Sequence, residues 1–196
     1  EVTVLFGVSS ASTAALANAY AAQFKTQWVL GSVGGDATTI AATNKAYVPL
    51  LFGAKGFSFA PAPTDATDEY IKLFQSIYAT AQPTQTFDNN VVAGMSNAFL
   101  AVQAIKAAGS NLTRAGLIKT IETKGASLAN PFLTPLGYSA TSHVGATGYW
   151  IGTYDQTGAL KADGGKYTVY TTDSGNGPVV ESSYKRPAMP AKGLPN

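Results

Sequence analysis

The sequence predicts an α/β fold organised around a parallel β-sheet, and three observations support this prediction. An apolar run at residues 2–6 is followed by a short Gly/Ser loop and then by small residues with helical spacing. The same order of strand, tight loop and helix begins again at residues 28–30. Hydrophobic residues make up 45% of the 196 residues, which is enough for a packed core. Strands that alternate with helices in this way form parallel sheets.

The first third of the chain is expected to contain three strands and two helices. We expect residues 2–6 to form a buried strand and the following helix to run from about residue 12 to residue 24. A short helix should start near Thr38, and a further strand should cover residues 57–60. On the first helix, the residues spaced by four that should face the core are Leu16, Tyr20 and Phe24.

The middle of the chain is predicted to be helical. A helix capped by Thr64 or Asp65 carries an apolar stripe, and a long helix follows at residues 89–108 with Gly109 in a left-handed cap. A further helix starts at Thr113. The residues expected on the buried face of the long helix are Val91, Met95, Ala98, Phe99, Val102 and Ile105. Strands are then expected at residues 149–154, 167–170 and 179–180.

Charge and composition exclude several classes of function. Lys and Arg number 13, Asp and Glu number 11, and only Lys185 and Arg186 are adjacent basic residues. Binding to nucleic acid requires a dense positive patch, so no nucleic-acid partner is expected. The chain has no cysteine, which excludes disulfides, thiolate catalysis and zinc–thiolate sites. No apolar run approaches the length of about 20 residues that spans a bilayer, so no transmembrane helix is expected.

Two polar loops follow the first two predicted strands. Ser9 and Ser10 lie in the first of these loops, and residues 32–36 lie in the second. Ligands of parallel sheets bind at the carboxyl ends of the strands, so these loops are the candidate binding site. An ordinary turn is the alternative for the second loop. The chain shows no paired carboxylates and no set of metal ligands, and this favours a binding function over catalysis. Neither a metal ion nor a cofactor is expected.

A serine hydrolase is the alternative function. Residues 7–11 follow a strand, precede a helix and nearly match the G-x-S-x-G pattern, with Ser9 as the nucleophile. His143, the single histidine, lies downstream and would be the base. The last glycine of the pattern is replaced by Ala11, which weakens this interpretation.

The ordered set of segments resembles the type I periplasmic solute-binding proteins, whose best-known branch binds branched-chain amino acids for ABC importers. The similarity extends to a His-x-Gly step at residues 143–145, just before the closing strands. The segments that carry the resemblance are residues 2–24, 28–36, 61–78, 87–109, 117–125 and 135–152.

This resemblance implies two Rossmann-like lobes with parallel sheets, of which the chain would hold only the C-terminal portion of each. Residues 1–62 would belong to the second lobe, and residues 63–147 to the first. Residues 148–196 would return to the second lobe and form the C-terminal tail. The missing N-terminal half of the same protein would then be a partner of this chain.

The resemblance also implies a function and a set of contacts. The protein would be an extracytoplasmic receptor of an ABC importer that closes two lobes on a small polar solute, an amino acid or a similar carboxylate or amide. Its partners would be the membrane permease and the solute, and its location periplasmic or extracellular, with a lipid anchor outside this chain as one option. The sensor domain of a regulator with the same fold is an alternative function that the sequence does not exclude. The implied ligand contacts are Val8, Ser9, Ser10, Ser32, Val33, Gly34 and Asp36, with Asp36 as the partner for an ammonium group.

Overall fold

The chain forms two compact units in the computed structural model, which describes residues 1–110, 112–171 and 178–190. Unit 1 contains Glu1–Ser58 and Trp150–Thr168, and unit 2 contains Phe59–Tyr149 and the described residues from Val169 on. The expected assignment of residues to lobes stays a prediction.

Helices and strands follow one another largely in the predicted order. The helices are α1 (Ser9–Ala21), α2 (Ala37–Asn44), α3 (Glu69–Ala81), α4 (Asn89–Ala108) and α5 (Arg114–Lys124). The strands are β1 (Val2–Leu5), β2 (Gln27–Leu30), β3 (Lys55–Ser58), β4 (Gly148–Tyr154), β5 (Leu160–Ala162), β6 (Val169–Thr171) and β7 (Val180–Glu181). Asn111, residues 172–177 and the end of the C-terminal tail after residue 190 lie outside the described residues.

The sheet of unit 1 is mixed. β1 pairs with β2 and β2 with β3 in parallel, which confirms the predicted parallel arrangement of the first three strands. β4 then pairs with β3 in the antiparallel direction, and β5 pairs with β4 in the same way. The register places Leu5 beside Leu30 and Leu30 beside Gly56. The carboxyl ends of the three parallel strands therefore meet at one edge of the sheet.

Only one face of β1 is covered, which corrects the expectation that this strand is fully buried. Val2, Val4 and Phe6 are exposed, whereas Leu5 packs against the core of unit 1. Side chains alternate along a strand, so a single covered face leaves every second residue accessible. The buried residues of this core are Leu16, Leu30, Ile40, Leu51, Ala54 and Tyr154.

α1 begins and ends earlier than the spacing of its apolar residues predicts. It starts at Ser9 and ends at Ala21, so Phe24 lies beyond the helix. Leu16 is buried as expected, but Tyr20 and Phe24 are exposed. The stripe of residues spaced by four was therefore wrong for two of its three members, and the small residues Ser9, Ser12 and Thr13 are buried instead.

Unit 2 contains the three helices predicted for the middle of the chain, α3, α4 and α5. Asp68 caps α3 by accepting hydrogen bonds from the backbone N–H groups of Tyr70 (3.0 Å) and Ile71 (3.1 Å), so the predicted caps Thr64 and Asp65 were wrong. Thr113 caps α5 as predicted, and Gly109 ends α4 with a φ of 58°.

α4 buries only part of the face that its apolar pattern predicts, since Phe99 is buried and Met95 packs against the core of unit 2. Ala98, Val102 and Ile105 are exposed, and the polar residues Ser96 and Gln103 are buried. Gln103 is tolerated there because its amide donates to the carbonyl of Ala129 and accepts from the N–H of the same residue. Among the described residues, α4 is long and apolar enough to cross a bilayer by length and composition alone, although no apolar run of that length was expected from the sequence. Core helices of globular proteins satisfy the same requirements.

Candidate solute-binding loops

Two loops at the carboxyl edge of the unit 1 sheet are held together by a direct hydrogen bond. We call residues 6–10, which lead from β1 into the first turn of α1, the first loop, and residues 31–36, between β2 and α2, the second loop. Ser9 and Ser10, predicted to lie in a loop, are the first two residues of α1. The Ser9 hydroxyl donates to the Val33 carbonyl at 2.9 Å. The two loops predicted from the order of strands and helices therefore lie side by side and form one surface.

Glycine at position 34 lets the second loop lie directly on the first. A Cβ atom added to Gly34 would lie 2.5 Å from the Ser12 hydroxyl and 2.7 Å from the Gly7 carbonyl oxygen. Both distances are far below van der Waals contact. A side chain at this position would therefore push the loops apart, and this explains the glycine without any appeal to a phosphate or nucleotide.

Tyr154 supports the second loop from below. A Cβ atom added to Gly35 would lie 2.0 Å from the Tyr154 hydroxyl oxygen, and one added to Gly56 would lie 2.7 Å from the Tyr154 ring. Burial raises the pKa of Tyr154, and the nearby Asp36 raises it further. Sequence reasoning missed this residue, because only the antiparallel pairing of β4 with β3 brings it beneath a loop that lies more than a hundred positions earlier.

Asp36 is committed to the start of α2. It is buried, and its Oδ1 atom accepts hydrogen bonds from the backbone N–H of Thr39 (2.7 Å) and from the Thr39 hydroxyl (2.7 Å). This is the geometry of a helix N-cap. The role of Asp36 as a partner for an ammonium group, which the resemblance implied, has no support in this geometry.

The predicted contact residues divide into two groups by accessibility. Val8 and Val33 are 59% and 65% exposed, Ser10 is exposed and Ser32 is half-buried. These side chains are free to touch a ligand. The other three predicted residues, which are Ser9, Gly34 and Asp36, are buried and hold the loops in place.

The arrangement expected of a serine hydrolase is not built around Ser9. Its hydroxyl donates to a backbone carbonyl in place of a base, and its side chain is buried. His143 belongs to unit 2, where its Nε2 atom lies 3.4 Å from a carboxylate oxygen of Glu122. Among the described residues, no cluster of three His, Cys, Asp or Glu side chains is arranged to hold a metal ion.

Residues 2–159 match the family described as periplasmic binding protein. The chain belongs to this family. The match contains β1 to β4 and both candidate loops, and it confirms the resemblance drawn from the ordered segments. Because the family is one of binding proteins, it also confirms the prediction that the chain is not an enzyme. A search of curated proteins finds no match.

Solved structures with the same fold belong to larger proteins. A possible leucine/isoleucine/valine-binding protein from Rhodopirellula baltica has a TM-score of 0.70 at 13% identity, and the match covers 82% of this chain and 42% of that one. A fatty acid ABC transporter substrate-binding protein from Thermomonospora curvata has a TM-score of 0.64 at 20% identity, and the match covers 94% of this chain and 45% of that one. A solute-binding protein of an R. palustris ABC transporter, in complex with benzoate, has a TM-score of 0.56 at 18% identity, and the match covers 93% of this chain and 44% of that one.

These similarities establish the fold of this periplasmic binding protein, and the predicted α/β class is confirmed. At identities of 13–20%, the ligands named for the other proteins do not transfer to this chain directly. The chain also spans less than half the length of the solved structures that it matches.

Proposed function

We propose that the protein is an extracytoplasmic receptor of an ABC importer that captures a small solute and does not transform it. The observation that carries this proposal is the hydrogen bond from the Ser9 hydroxyl to the Val33 carbonyl, which joins two loops at one sheet edge into a single surface. Val8, Ser10 and Val33 are exposed on this surface. Ligands of α/β sheets bind at such an edge.

The full-length protein would hold its solute between two lobes and close by a hinge motion, which shifts an equilibrium between open and closed states. In this proposal residues 1–62 and 148–196 contribute to the second lobe and residues 63–147 to the first. The rest of the protein and a membrane permease are its partners. The family supports a location outside the cytoplasm. We propose a periplasmic or extracellular location, with a lipid anchor as one option.

The loops favour a small carboxylate or amide as the solute. The hydroxyl groups of Ser10 and Ser32 are available for hydrogen bonds at the edge of the surface. α1 begins after Val8 without a side-chain cap, whereas Asp36 caps α2. An uncapped helix start offers backbone N–H groups and the positive end of the helix dipole, both of which favour an oxygen ligand.

A thermal-shift screen of the full-length protein against a broad panel of metabolites tests this function. A solute that binds only the folded state raises its stability by about 2.7 kcal/mol at a concentration of 100 times Kd. We expect at least one small organic solute to raise the melting temperature in proportion to the logarithm of its concentration. A panel that contains carboxylates, amides, amino acids and sugars and produces no shift would contradict the proposal.

A further inference from the structure

We propose that the part of the protein outside this chain extends the unit 1 sheet beyond β1 and covers an apolar face that this sheet leaves bare. We give the name bare face to the side chains of Val4, Phe6, Val29, Phe57 and Ile151. The inference goes beyond solute capture, because it concerns how the full-length protein is assembled. Three features support it, which are the register of the sheet, the exposure of these side chains and the position of β1 at a sheet edge.

One face of the unit 1 sheet is covered by α1 and α2. Leu5 and Leu30 lie side by side in the register of β1 and β2, and both belong to the core that the two helices form with the sheet. Val4 and Val29 are also paired, one position earlier in each strand. Because side chains alternate along a strand, these two valines point to the opposite face.

The bare face is apolar across four neighbouring strands. In β3, Phe57 follows Gly56, which lies beside a core residue of β2, and so Phe57 points to the bare face together with its partner Ile151 in β4. The rings of Phe6 and Phe57 have centroids 5.7 Å apart. Val4, Phe6 and Ile151 are 57%, 80% and 41% exposed. Single apolar side chains are common on protein surfaces, but a contiguous apolar patch marks an interaction surface.

β1 also has an open edge. Within the described residues, β1 is the end strand of the sheet and its partner is β2. The Leu5 carbonyl accepts a hydrogen bond from the Gly31 N–H at 3.0 Å, on the β2 side. Backbone groups alternate in direction along a strand, so those of Val2 and Val4 point to the open side. An edge of this kind is a template for pairing with another strand.

The direction of the crossovers places the additional strands beyond β1. α1 connects β1 to β2, α2 lies in the connection from β2 to β3, and both helices cover the same face. Nearly all crossovers between parallel strands are right-handed, so a connecting helix on the bare face runs between strands that step in the other direction. The open side of β1 has room for such strands, whereas β4 pairs with the far side of β3. Parallel sheets are normally covered on both faces.

The rest of the same protein is the occupant that the size of the related structures favours. The chain spans 42–45% of the solved structures reported above, so more than half of a protein of that length lies outside it. A strand beside β1 and a helix with an apolar stripe over the bare face would remove this apolar surface from water, which is favourable. A second copy of the chain and a separate protein are the other occupants that the experiment distinguishes.

Thiol labelling of the full-length protein tests the inference. The 196 residues contain no cysteine, and mass spectrometry of the labelled peptide restricts the measurement to one position. In the native protein, Val4→Cys and Ile151→Cys should each react with a maleimide at least about 100-fold more slowly than in the unfolded protein. Val179→Cys replaces a valine of unit 2 that is 54% exposed, and as the control it should be slowed by less than about tenfold. Slowing of less than about tenfold at both test positions would overturn the inference.

Amide exchange tests the strand beside β1. In the full-length protein the N–H groups of Val2 and Val4 should exchange at least about 100-fold more slowly than in an unstructured peptide, because they would donate to the added strand. Free exchange at both positions would overturn the extension of the sheet.

The effect of protein concentration on thiol labelling identifies the occupant. A cover that belongs to the same polypeptide protects Val4→Cys equally at all concentrations, whereas protection by a second copy or by a separate protein is lost on dilution. Loss on dilution would therefore overturn the inference. No solute is present in these measurements, so their failure leaves the receptor function intact. A thermal-shift screen without a response leaves the inference intact.

Discussion

At the scale of single residues, the small side chains of the second loop are explained by packing. Gly34 lies against Ser12 and Gly35 lies against Tyr154, so the loop has a fixed position before any ligand arrives. A loop that is held in place loses little conformational freedom on binding, and this favours affinity. Protein atoms fill the space that a side chain would take at either glycine.

Gly35→Ala should lower the free energy of unfolding by about 2–3 kcal/mol, because the new methyl group would overlap the Tyr154 hydroxyl. Gly94→Ala is the control, because nothing lies within 4 Å of a Cβ at that position in α4. Removing a glycine from a helix should stabilise the protein by about 0.5–1 kcal/mol. Urea denaturation measures both changes. Equal stability of the two variants would mean that Tyr154 does not support the loop.

At the scale of elements, the last described segment fastens the start of α3 in unit 2. The Arg186 guanidinium contacts the Asp68 carboxylate and donates a hydrogen bond to the Pro131 carbonyl at 2.9 Å. The same guanidinium lies 4.9 Å from the centre of the Tyr70 ring. The Met189 N–H donates to a carboxylate oxygen of Glu69 at 3.0 Å. The C-terminal segment is therefore part of the packed structure up to that point.

Arg186→Met should destabilise the protein by about 3 kcal/mol. The side chains of Arg186 and Asp68 are only 17% and 6% exposed, so the variant leaves a largely buried carboxylate with its N-cap hydrogen bonds but without its counter-charge. Lys161→Met is the matched control, because Lys161 and Asp155 form an ion pair at 3.9 Å with a mostly exposed lysine. That loss should cost less than about 1 kcal/mol. Thermal unfolding of both variants checks the difference, and an equally small effect of Arg186→Met would show that the segment does not fasten α3.

The order of elements was predictable from sequence, but the face that each helix buries was not always so. Strand and loop signals placed β1, β2 and the second loop correctly, since turn residues and apolar runs are local features. Ser9 and Ser10, predicted to lie in the first loop, begin α1 instead. The buried face of α4 was right for Phe99 and Met95 but wrong for Ala98, Val102 and Ile105, because the contacts that decide it come from distant residues. Gln103 is buried because its side-chain amide forms hydrogen bonds with the backbone of Ala129, and no local sequence pattern predicts this pairing.

The position of the candidate site was predictable from the sequence. Which of its residues are exposed to a ligand and which are buried between the loops was not. The sequence placed both loops at strand ends and included Ser9, Gly34 and Asp36 with the residues that can touch a ligand. Their burial depends on how the two loops pack on each other, which one-dimensional spacing does not contain. Tyr154 was missed for the same reason.

At the scale of the whole molecule, the chain spans 42–45% of the solved structures reported above. Its two units are each compact, and the residues from Trp150 to Thr168 return to the unit that carries the loops. The tests of solute binding are therefore designed for the full-length protein. Unit 1 contributes one preformed surface to the proposed receptor.

Hydrogen exchange of the full-length protein, measured with and without a solute found by the thermal-shift screen, tests the central claim most directly. If the two loops form one surface that holds the solute, the amides of residues 7–10 and 32–34 should exchange together more slowly, by about tenfold or more, at saturation. Exchange at both loops that stays unchanged while the solute is bound, with protection confined to other parts of the protein, would contradict the account.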